Sequence, residues 1–409
     1  MQSSWRIGSI FNIPLYIDFS WLFIVVIVAI LNGFAWREVY PTWQPLLLGG
    51  AGLLTALLLF GSVLLHELGH SLVAKTQGIQ VNSITLFLFG GIAAIEQEPK
   101  TPGRAFQVAI AGPVVSLVLC GGLSILTWNL PTSHPVAFLA ADLARINLVL
   151  ALFNLIPGLP LDGGQVLKAA IWKATGDRLR ATRWAARTGE ILGWLIILLG
   201  FVSVLIPGVA GGNIWLAVIG WFILRNADRY RHITDLQEAL LQLNAAHAMG
   251  REFRVVEAGM TLRQFADQYL LDTARSPMYF AAADGRYRGL VEVTALHQVE
   301  RSQWETKTLQ NILQPLTAIL TVQEQTPLIE VINLMEKHQL SRITVISPAG
   351  AVAGVIDRGD IVQVVMQQLK VQIAPAVIQN IKEAGAYPPG FPILAVAKAT
   401  EELLPHQDP

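Results

Sequence analysis

The chain has 409 residues with no net formal charge; 53% of its residues are hydrophobic and only 14% are charged. Soluble domains carry about 25% charged residues, so this composition indicates a protein that lies largely in lipid. The balanced charge argues against nucleic acid as a partner, and the single cysteine, Cys120, excludes an intrachain disulfide or a cysteine-based zinc site.

Six apolar stretches predict membrane-spanning helices, since a helix needs roughly 20 apolar residues to cross a bilayer. They cover residues 19–35, 46–70, 105–128, 137–157, 191–206 and 213–224. Lysine and arginine cluster after the second, fourth and sixth stretches, whereas the other three connections hold only Arg37. By the positive-inside rule, this asymmetry predicts a multi-pass protein of the plasma or inner membrane with both termini in the cytosol.

A short β-rich segment separates the second and third apolar stretches. Residues 81–95 are rich in β-branched and aromatic side chains, with Gly90-Gly91 at their centre. The pattern predicts a hairpin that turns at the glycines. An open strand edge cannot face lipid, because its backbone groups would lack hydrogen-bond partners. We therefore expect the hairpin at the membrane interface or beside a watery cavity, with a purely structural role as the alternative.

From residue 231 the composition changes to that of a soluble α/β protein. Two similar segments of about 60 residues each follow the order strand, helix, strand, strand, helix, which indicates an internal repeat. The tail is rich in alanine and proline, and we expect it to pack weakly. The predicted division is a membrane domain at 1–230, a linker helix within 231–250, repeats at 251–303 and 309–370, and a tail at 371–409.

Residues 66–70 read His-Glu-Leu-Gly-His, directly after the uncharged run 46–65. Two histidines four residues apart lie on one face of a helix, and a glutamate after the first completes the helical zinc-protease pattern. His66 and His70 are therefore candidate zinc ligands, and Glu67 is the candidate general base. Ionisable groups inside an apolar span are costly, so a functional role is the default interpretation.

A catalytic zinc site needs a third protein ligand. Outside the motif, the only histidine in residues 1–230 is His134, in a connection predicted on the opposite side of the membrane. A carboxylate is therefore expected, and Asp162 is the best candidate because it follows the fourth stretch in the proline- and glycine-rich segment 154–164. Its alternative role is a cap at a helix terminus.

Two further polar positions belong to the fourth apolar stretch. Asn154 could donate a hydrogen bond to the oxyanion formed when water attacks a carbonyl; its alternative is a hydrogen bond between helices. Asp142 and Arg145 are three residues apart and are expected to pair with each other rather than to take part in chemistry.

Together these motifs resemble the site-2 protease family of intramembrane zinc metalloproteases. The resemblance implies one zinc ion held by His66, His70 and Asp162, with Glu67 activating water and Asn154 as an oxyanion contact. It also implies that the strands near 84–95 hold an extended substrate, and that substrates are membrane-tethered regulators such as anti-sigma factors or transcription factors. The matching segments are His66-Glu67-Leu68-Gly69-His70, Phe89-Gly90-Gly91, Ala111-Gly112-Pro113, Asn154-x-x-Pro157 and Leu161-Asp162-Gly163.

The two repeats resemble a tandem pair of cystathionine-β-synthase (CBS) domains. In that family a Gly-x-(Ile/Val)-(Ser/Thr)-x-x-Asp motif often holds the ribose of adenosine. The second repeat matches at Gly354 and Asp360 but has Asp357 in place of the hydroxyl residue, and the first repeat, from Gly289 on, lacks both. Adenine nucleotide at Asp360 is thus one expectation, and a dimerising or structural pair is the alternative.

The sequence therefore predicts an α-helical polytopic membrane domain of about six helices with a short β hairpin, followed by a cytosolic α/β tandem CBS module. The expected function is zinc-dependent intramembrane proteolysis in a lipid bilayer, with a regulatory or homodimerising CBS pair. The alternative is a transporter or channel gated by that pair. Against it, the two halves of the membrane region show no repeat of the kind that many transporters contain.

Overall fold

The computed structural model describes residues 4–205, 214–270, 278–388 and 390–401. The chain divides into two compact units, Met1–Thr234 and Asp235–Pro409.

The first unit is dominated by helices. They are α1 Phe19–Val39, α2 Pro45–Thr76, α3 Pro102–Trp128, α4 Pro135–Asn154, α5 Asp162–Thr175, α6 Arg178–Leu205 and α7 Ile214–Gln242. Within the described residues, α1, α2, α3, α4 and α6 are long and apolar enough to cross a membrane. Many of their large side chains are exposed, including Phe23, Leu31 and Val118, as expected for helices whose solvent is lipid.

The predicted sixth span, 213–224, is not confirmed. Apart from residue 213, which lies outside the described residues, it forms the start of α7. This helix runs on without a break through the predicted linker helix to Gln242. Its apolar stretch is short, and the charged turns from Arg225 onward belong to the same helix, so this stretch is one end of a longer helix.

A four-stranded sheet accompanies the helices in the order β1-β2-β3-β4, with β2 and β3 parallel and the other pairs antiparallel. The strands are β1 Ser4–Ile10, β2 Ile13–Asp18, β3 Val81–Phe87 and β4 Gly90–Ile95. The predicted hairpin at 81–95 is present. The hairpin β1–β2 was not predicted; Phe11 and Asn12 both have positive φ, 50° and 60°, which is typical of a two-residue hairpin turn.

The sheet packs beside the metal-binding motif. Ile13 and Ile84 are fully buried and share one apolar cluster with Leu68 of α2 and Val108 of α3. Because Leu68 lies inside the 66–70 motif, this cluster fixes the sheet against the same turn of α2 that carries the histidines.

In its described residues, the second unit contains two sheets, β5-β6-β7-β8 and β11-β10-β9. Its elements are α8 Ala245–Ala248, β5 Phe253–Glu257, α9 Leu262–Phe265, β6 Met278–Ala283, β7 Arg286–Val291, α10 Val293–Leu296, β8 Leu313–Pro315, β9 Thr321–Gln323, α11 Leu328–Lys337, β10 Arg342–Ile346, β11 Val352–Asp357, α12 Arg358–Gln368, α13 Pro375–Ala384 and α14 Ile393–Glu401. Both repeats pair their first two strands parallel and their second and third strands antiparallel. The two halves therefore share one topology, as the internal repeat predicts.

The expectation that the tail packs weakly is wrong. Its helices α13 and α14 bury apolar side chains, including Ile381, Ile393 and Val396. Pro375 is in the first turn of α13, and Gly385 follows its last residue in a left-handed conformation with φ 61°. Proline at the start and glycine after the end delimit helices rather than prevent them, so the composition of the tail was misleading.

Candidate metal and catalytic site

Helix α2 presents His66 and His70 one turn apart, and α5 brings Asp162 to them. The Nε2 atoms of the two histidines are 3.3 Å apart. Asp162 Oδ2 lies 3.0 Å from His66 Nε2 and 3.3 Å from His70 Nε2. Both histidines are buried, and the Asp162 side chain is 20% exposed. The structure thus brings together the three residues that the sequence nominated as ligands.

The donor set fits a tetrahedral zinc ion. Ligand atoms at about 2.0–2.1 Å from such an ion lie about 3.3 Å from one another, close to the three separations observed. The outer ring nitrogens have partners of their own: His70 Nδ1 donates to the carbonyl of Val108 at 2.6 Å, and His66 Nδ1 is 2.9 Å from Ser116 Oγ. Because Nδ1 of His70 carries the proton, its Nε2 lone pair points at the centre, as metal-binding histidines require.

Helix α3 reaches this centre through a glycine. A Cβ on Gly112 would lie 2.2 Å from His70 Nε2 and 2.7 Å from His66 Nε2. Any larger residue would occupy the place of the metal ligands. In the sequence, Gly112 is marked only as part of a family motif, because its role in shaping the site arises from the packing of α3 against α2.

Glu67 lies beneath strand β4. A Cβ on Gly91 would be 2.5 Å from Glu67 Cγ and 3.3 Å from its Oε1. The second glycine of the predicted hairpin therefore lets β4 pass directly over the candidate general base. This contact joins the strand edge and the glutamate in one site.

Asp162 follows a compact bend between α4 and α5. A Cβ on Gly163 would meet the Leu155 carbonyl at 2.2 Å, and one on Gly164 would meet Gly158 at 2.3 Å. The N-cap residue of α5 is Leu161, and no side chain forms a cap hydrogen bond there. Asp162 is therefore not the cap, and its carboxylate is directed at the histidines.

Asn154 is not placed in the centre by any described contact. Its Nδ2 donates to the Leu150 carbonyl, one turn back in α4, at 3.0 Å. The bond lies within one helix and not between helices, and the oxyanion role of Asn154 stays a prediction. Asp142 and Arg145 form the expected ion pair with each other.

An ion-pair cluster that the sequence analysis missed joins the end of the hairpin to α5. Glu98, shortly after β4, accepts hydrogen bonds from Lys168 at 2.6 Å and Arg178 at 2.7 Å. Although burial opposes ionisation of Glu98, the two cations hold the pKa of its carboxyl below the usual value. Lys168 is itself buried. The helix that supplies Asp162 is thus tied to the segment that follows the strand over Glu67.

In the second unit, Asp360 is in the first turn of α12 and its carboxylate contacts the ammonium group of Lys382, 2.7 Å away. Lys382 belongs to α13 in the tail. The sequence pattern nominated Asp360, but nothing in the pattern indicated this partner.

Comparisons with known proteins agree with the geometry. The model of peptidase family M50 matches residues 54–132 and 126–199, and that of the CBS domain matches 311–367. A relative from Synechocystis sp. that is named as a zinc metalloprotease is 40% identical over 368 residues, which cover 89% of this chain and 96% of the relative. Rip3 of Mycobacterium tuberculosis, also named as a zinc metalloprotease, is 35% identical over 84% of this chain and 87% of its own.

Among solved structures, the site-2 protease from Methanocaldococcus jannaschii is 30% identical, with a TM-score of 0.41, over 56% of this chain and 95% of that one. The family match and the relatives favour the protease hypothesis over the transporter alternative. With its His-Glu-x-x-His helix and apolar spans, the chain belongs to peptidase family M50, the site-2 proteases, and is a membrane metalloprotease with a C-terminal CBS module.

Proposed function

We propose that the chain is a zinc-dependent intramembrane endopeptidase, with one zinc ion held by His66, His70 and Asp162. The observation that carries this proposal is the triangle of ligand atoms, all within 4.8 Å of one another. Its two buried histidines lie on α2, a helix long and apolar enough to cross a membrane. Two imidazoles and a carboxylate at such a position are costly unless they bind something.

The chemistry follows from the groups around the triangle. When bound, zinc lowers the pKa of water and polarises a substrate carbonyl. Glu67, next to His66 in sequence and beneath β4, takes the proton from the attacking water and delivers it to the leaving amine. Ser116 and the Val108 carbonyl hold the two imidazoles in the orientation that this requires.

We further propose that β4 holds the substrate as an added strand. A helical substrate hides its peptide carbonyls in its own hydrogen bonds, so it must unwind before cleavage. β4 ends the order β1-β2-β3-β4, so in the described part of the chain its outer edge pairs with no strand, and it passes directly over Glu67. Strand addition at this edge would bring an extended peptide to the site.

The unique cysteine allows a matched cross-linking test of this edge. Ile92 on β4 and Ile7 on β1 are on the two outer strands, and each is 56% exposed. In a Cys120→Ser background, Ile92→Cys should form a disulfide with a substrate that carries a cysteine at its cleavage site, whereas Ile7→Cys should not. Equal cross-linking at both positions would exclude β4 as the substrate strand.

The central experiment compares the wild type with Glu67→Gln. Zinc content, measured by elemental analysis of the purified protein, should stay at one ion per chain, while cleavage of a membrane-embedded substrate is abolished. His134→Gln, which replaces a histidine outside the triangle, should leave both quantities unchanged. Normal cleavage by Glu67→Gln would refute the mechanism.

The substrates that we propose are single-pass membrane-tethered regulators, such as an anti-sigma factor or a tethered transcription factor. The proposed topology places both termini and the CBS pair in the cytosol, following the distribution of lysine and arginine along the chain. Labelling of cysteines introduced at Lys100 and at Thr132 would test the topology, because only Lys100 is expected to face the cytosol.

For the CBS module we propose a regulatory or dimerising role. Domain boundaries at 230, 251 and 309 remain part of this proposal, as do the oxyanion contact of Asn154 and adenine nucleotide at Asp360. Sedimentation of the full-length protein in detergent tests dimerisation.

A fall in kcat for Asn154→Ala with zinc content unchanged would support the oxyanion role, and an unchanged kcat would contradict it.

A further inference from the structure

The carboxylates at the start of α12 form a compact pair. The Asp357 backbone N–H donates to Asp360 Oδ2, and the Asp360 N–H donates to Asp357 Oδ1, each at 3.0 Å. This reciprocal cap uses one oxygen of each side chain. The other oxygen of Asp360, Oδ1, accepts from Lys382 Nζ at 2.7 Å.

Lys382 is enclosed by acidic groups. Its ammonium is 2.9 Å from Glu252 Oε1 and 3.9 Å from Asp357 Oδ2, and its side chain is only 7% exposed. Although burial opposes the charged form, the hydrogen bonds to Asp360 and Glu252 raise the pKa of Lys382. A buried ammonium is tolerated only when it is paired in this way, so the lysine and its carboxylates depend on one another.

Helix α13 approaches α12 at backbone distance. A Cβ on Gly359 would lie 2.3 Å from Lys382 Cγ and 3.1 Å from the Ile378 carbonyl. Gly359 therefore provides the space in which α13 lies, directly beside the two aspartates. Alanine at this position would force the helix away.

Arg358, which precedes Gly359, holds the C-terminal end of α13 in place. Arg358 is buried, and its Nη1 donates to the Gly385 carbonyl at 2.8 Å and to the Leu340 carbonyl at 3.0 Å. Its guanidinium also lies over the Tyr387 ring, 5.7 Å from the ring centroid. Three consecutive residues of the motif region thus all contact α13 or the residues just after it: Arg358, Gly359 and Asp360.

We propose that α13 is a built-in ligand of the Asp360 site, with Lys382 in the position where the hydroxyl groups of a bound ribose would meet the carboxylate. Helix α13 and an adenosine nucleotide then exclude each other, and the nucleotide binds only after the helix has left. The apparent Kd for the nucleotide then equals its intrinsic Kd divided by the fraction of molecules in which α13 has left the site. This inference rests on the adenine-nucleotide site proposed at Asp360 and is independent of the proteolytic function.

Nucleotide binding to the full-length protein tests the proposal, with AMP and ATP as probes at concentrations up to about 1 mM. Lys382→Ala should bind one of them at least about tenfold more tightly than the wild type, since it removes the competing group. Lys398→Ala, which removes an exposed lysine from the next tail helix, α14, should behave as the wild type. Asp360→Ala added to Lys382→Ala should abolish the gain.

A second route opens the site without removing the lysine. Gly359→Ala should displace α13 by steric overlap and produce the same gain in affinity. Hydrogen exchange reports both effects: amides of 375–384 should exchange faster in each variant than in the wild type, while β10 and β11 keep their protection. Equal nucleotide affinity in wild type and both variants would overturn the proposal, as would a nucleotide that protects α13 and the start of α12 together.

Discussion

Asp162 and Asp360 occupy equivalent local positions in two unrelated parts of the molecule. Each is in the first turn of a helix, α5 or α12. Asp162 follows the proline- and glycine-rich segment that starts at residue 154, and Asp360 ends the motif that starts at Gly354. Asp162 faces two imidazole nitrogens in the membrane unit, and Asp360 faces the ammonium of Lys382 in the CBS unit. The difference lies in the partners and not in the aspartates.

The partners determine what each carboxylate can bind. The outer nitrogen of His70 donates to the Val108 carbonyl, and the outer nitrogen of His66 lies beside Ser116 Oγ, so the two Nε2 atoms and Asp162 face one point, where a metal cation fits. Lys382 brings a positive charge of its own to Asp360. A motif aspartate therefore predicts a positively polarised partner, but only the packing of distant segments decides whether a metal, a ligand or the chain itself provides it.

Substituting each aspartate is the strongest way to break the comparison. Asp162→Ala should reduce zinc from one ion per chain to a trace and abolish cleavage, since a catalytic zinc site needs three protein ligands. Asp360→Ala should keep both zinc and cleavage. Elemental analysis and a substrate-cleavage assay on the two purified variants measure these outcomes.

A zinc content near one ion per chain in Asp162→Ala would show that another residue is the third ligand. Asp360→Ala carries its own readout, because it leaves Lys382 with Glu252 and Asp357 as acidic neighbours. The second unit of Asp360→Ala should unfold at a lower temperature than that of the wild type, because removing one partner of a buried ion pair typically costs about 3–5 kcal/mol of stability.

Glycine 112 gives a sharper test, because it changes no ligand. Gly112→Ala would place a methyl group 2.2 Å from His70 Nε2, so zinc affinity and cleavage should both collapse. Gly121→Ala is the matched control: it lies in the same helix and its Cβ would meet nothing within 4 Å. Removing a glycine from a helix interior stabilises it by up to about 1 kcal/mol, so the control should be at least as stable as the wild type.

Retained zinc and full cleavage in Gly112→Ala would mean that α3 does not approach the ligands as closely as the structure places it. Loss of zinc in Gly121→Ala would instead mean that alanine anywhere in α3 disturbs the fold. Melting curves of both variants separate these two cases.

The nominated ligands could be predicted from sequence because their spacing carries the signal. Two of them lie four residues apart on one helix, and the proline- and glycine-rich segment around Asp162 distinguished it from the other acidic residues of the membrane region. The partners of these ligands could not be predicted in the same way. Ser116 and Lys382 have no local pattern that distinguishes them from other serines and lysines, and their roles arise only when α3 meets α2 and when α13 meets α12.

The fold shows the same limit. Of the six spans predicted from apolar length, five correspond to long apolar helices, and the hairpin predicted at 81–95 is present, because lipid and strand pairing impose strong local patterns. The hairpin β1–β2 was not predicted because its turn is formed by Phe11 and Asn12 and has no glycine pair like Gly90-Gly91 to mark it. The tail was misjudged because its apolar residues are buried by helices from the second repeat, which composition cannot reveal.

Ser116 provides the smallest and most specific effect. Its hydroxyl is 2.9 Å from His66 Nδ1, and loss of such a partner typically costs about 10–100-fold in metal affinity. Ser116→Ala should therefore lose zinc to a chelator at lower concentrations than the wild type while keeping one ion per chain when zinc is in excess. Ser124→Ala, which removes a hydroxyl that donates within α3 to the Cys120 carbonyl, should match the wild type. Equal chelator resistance in both variants would mean that the Ser116 hydroxyl does not hold His66 in its metal-binding orientation.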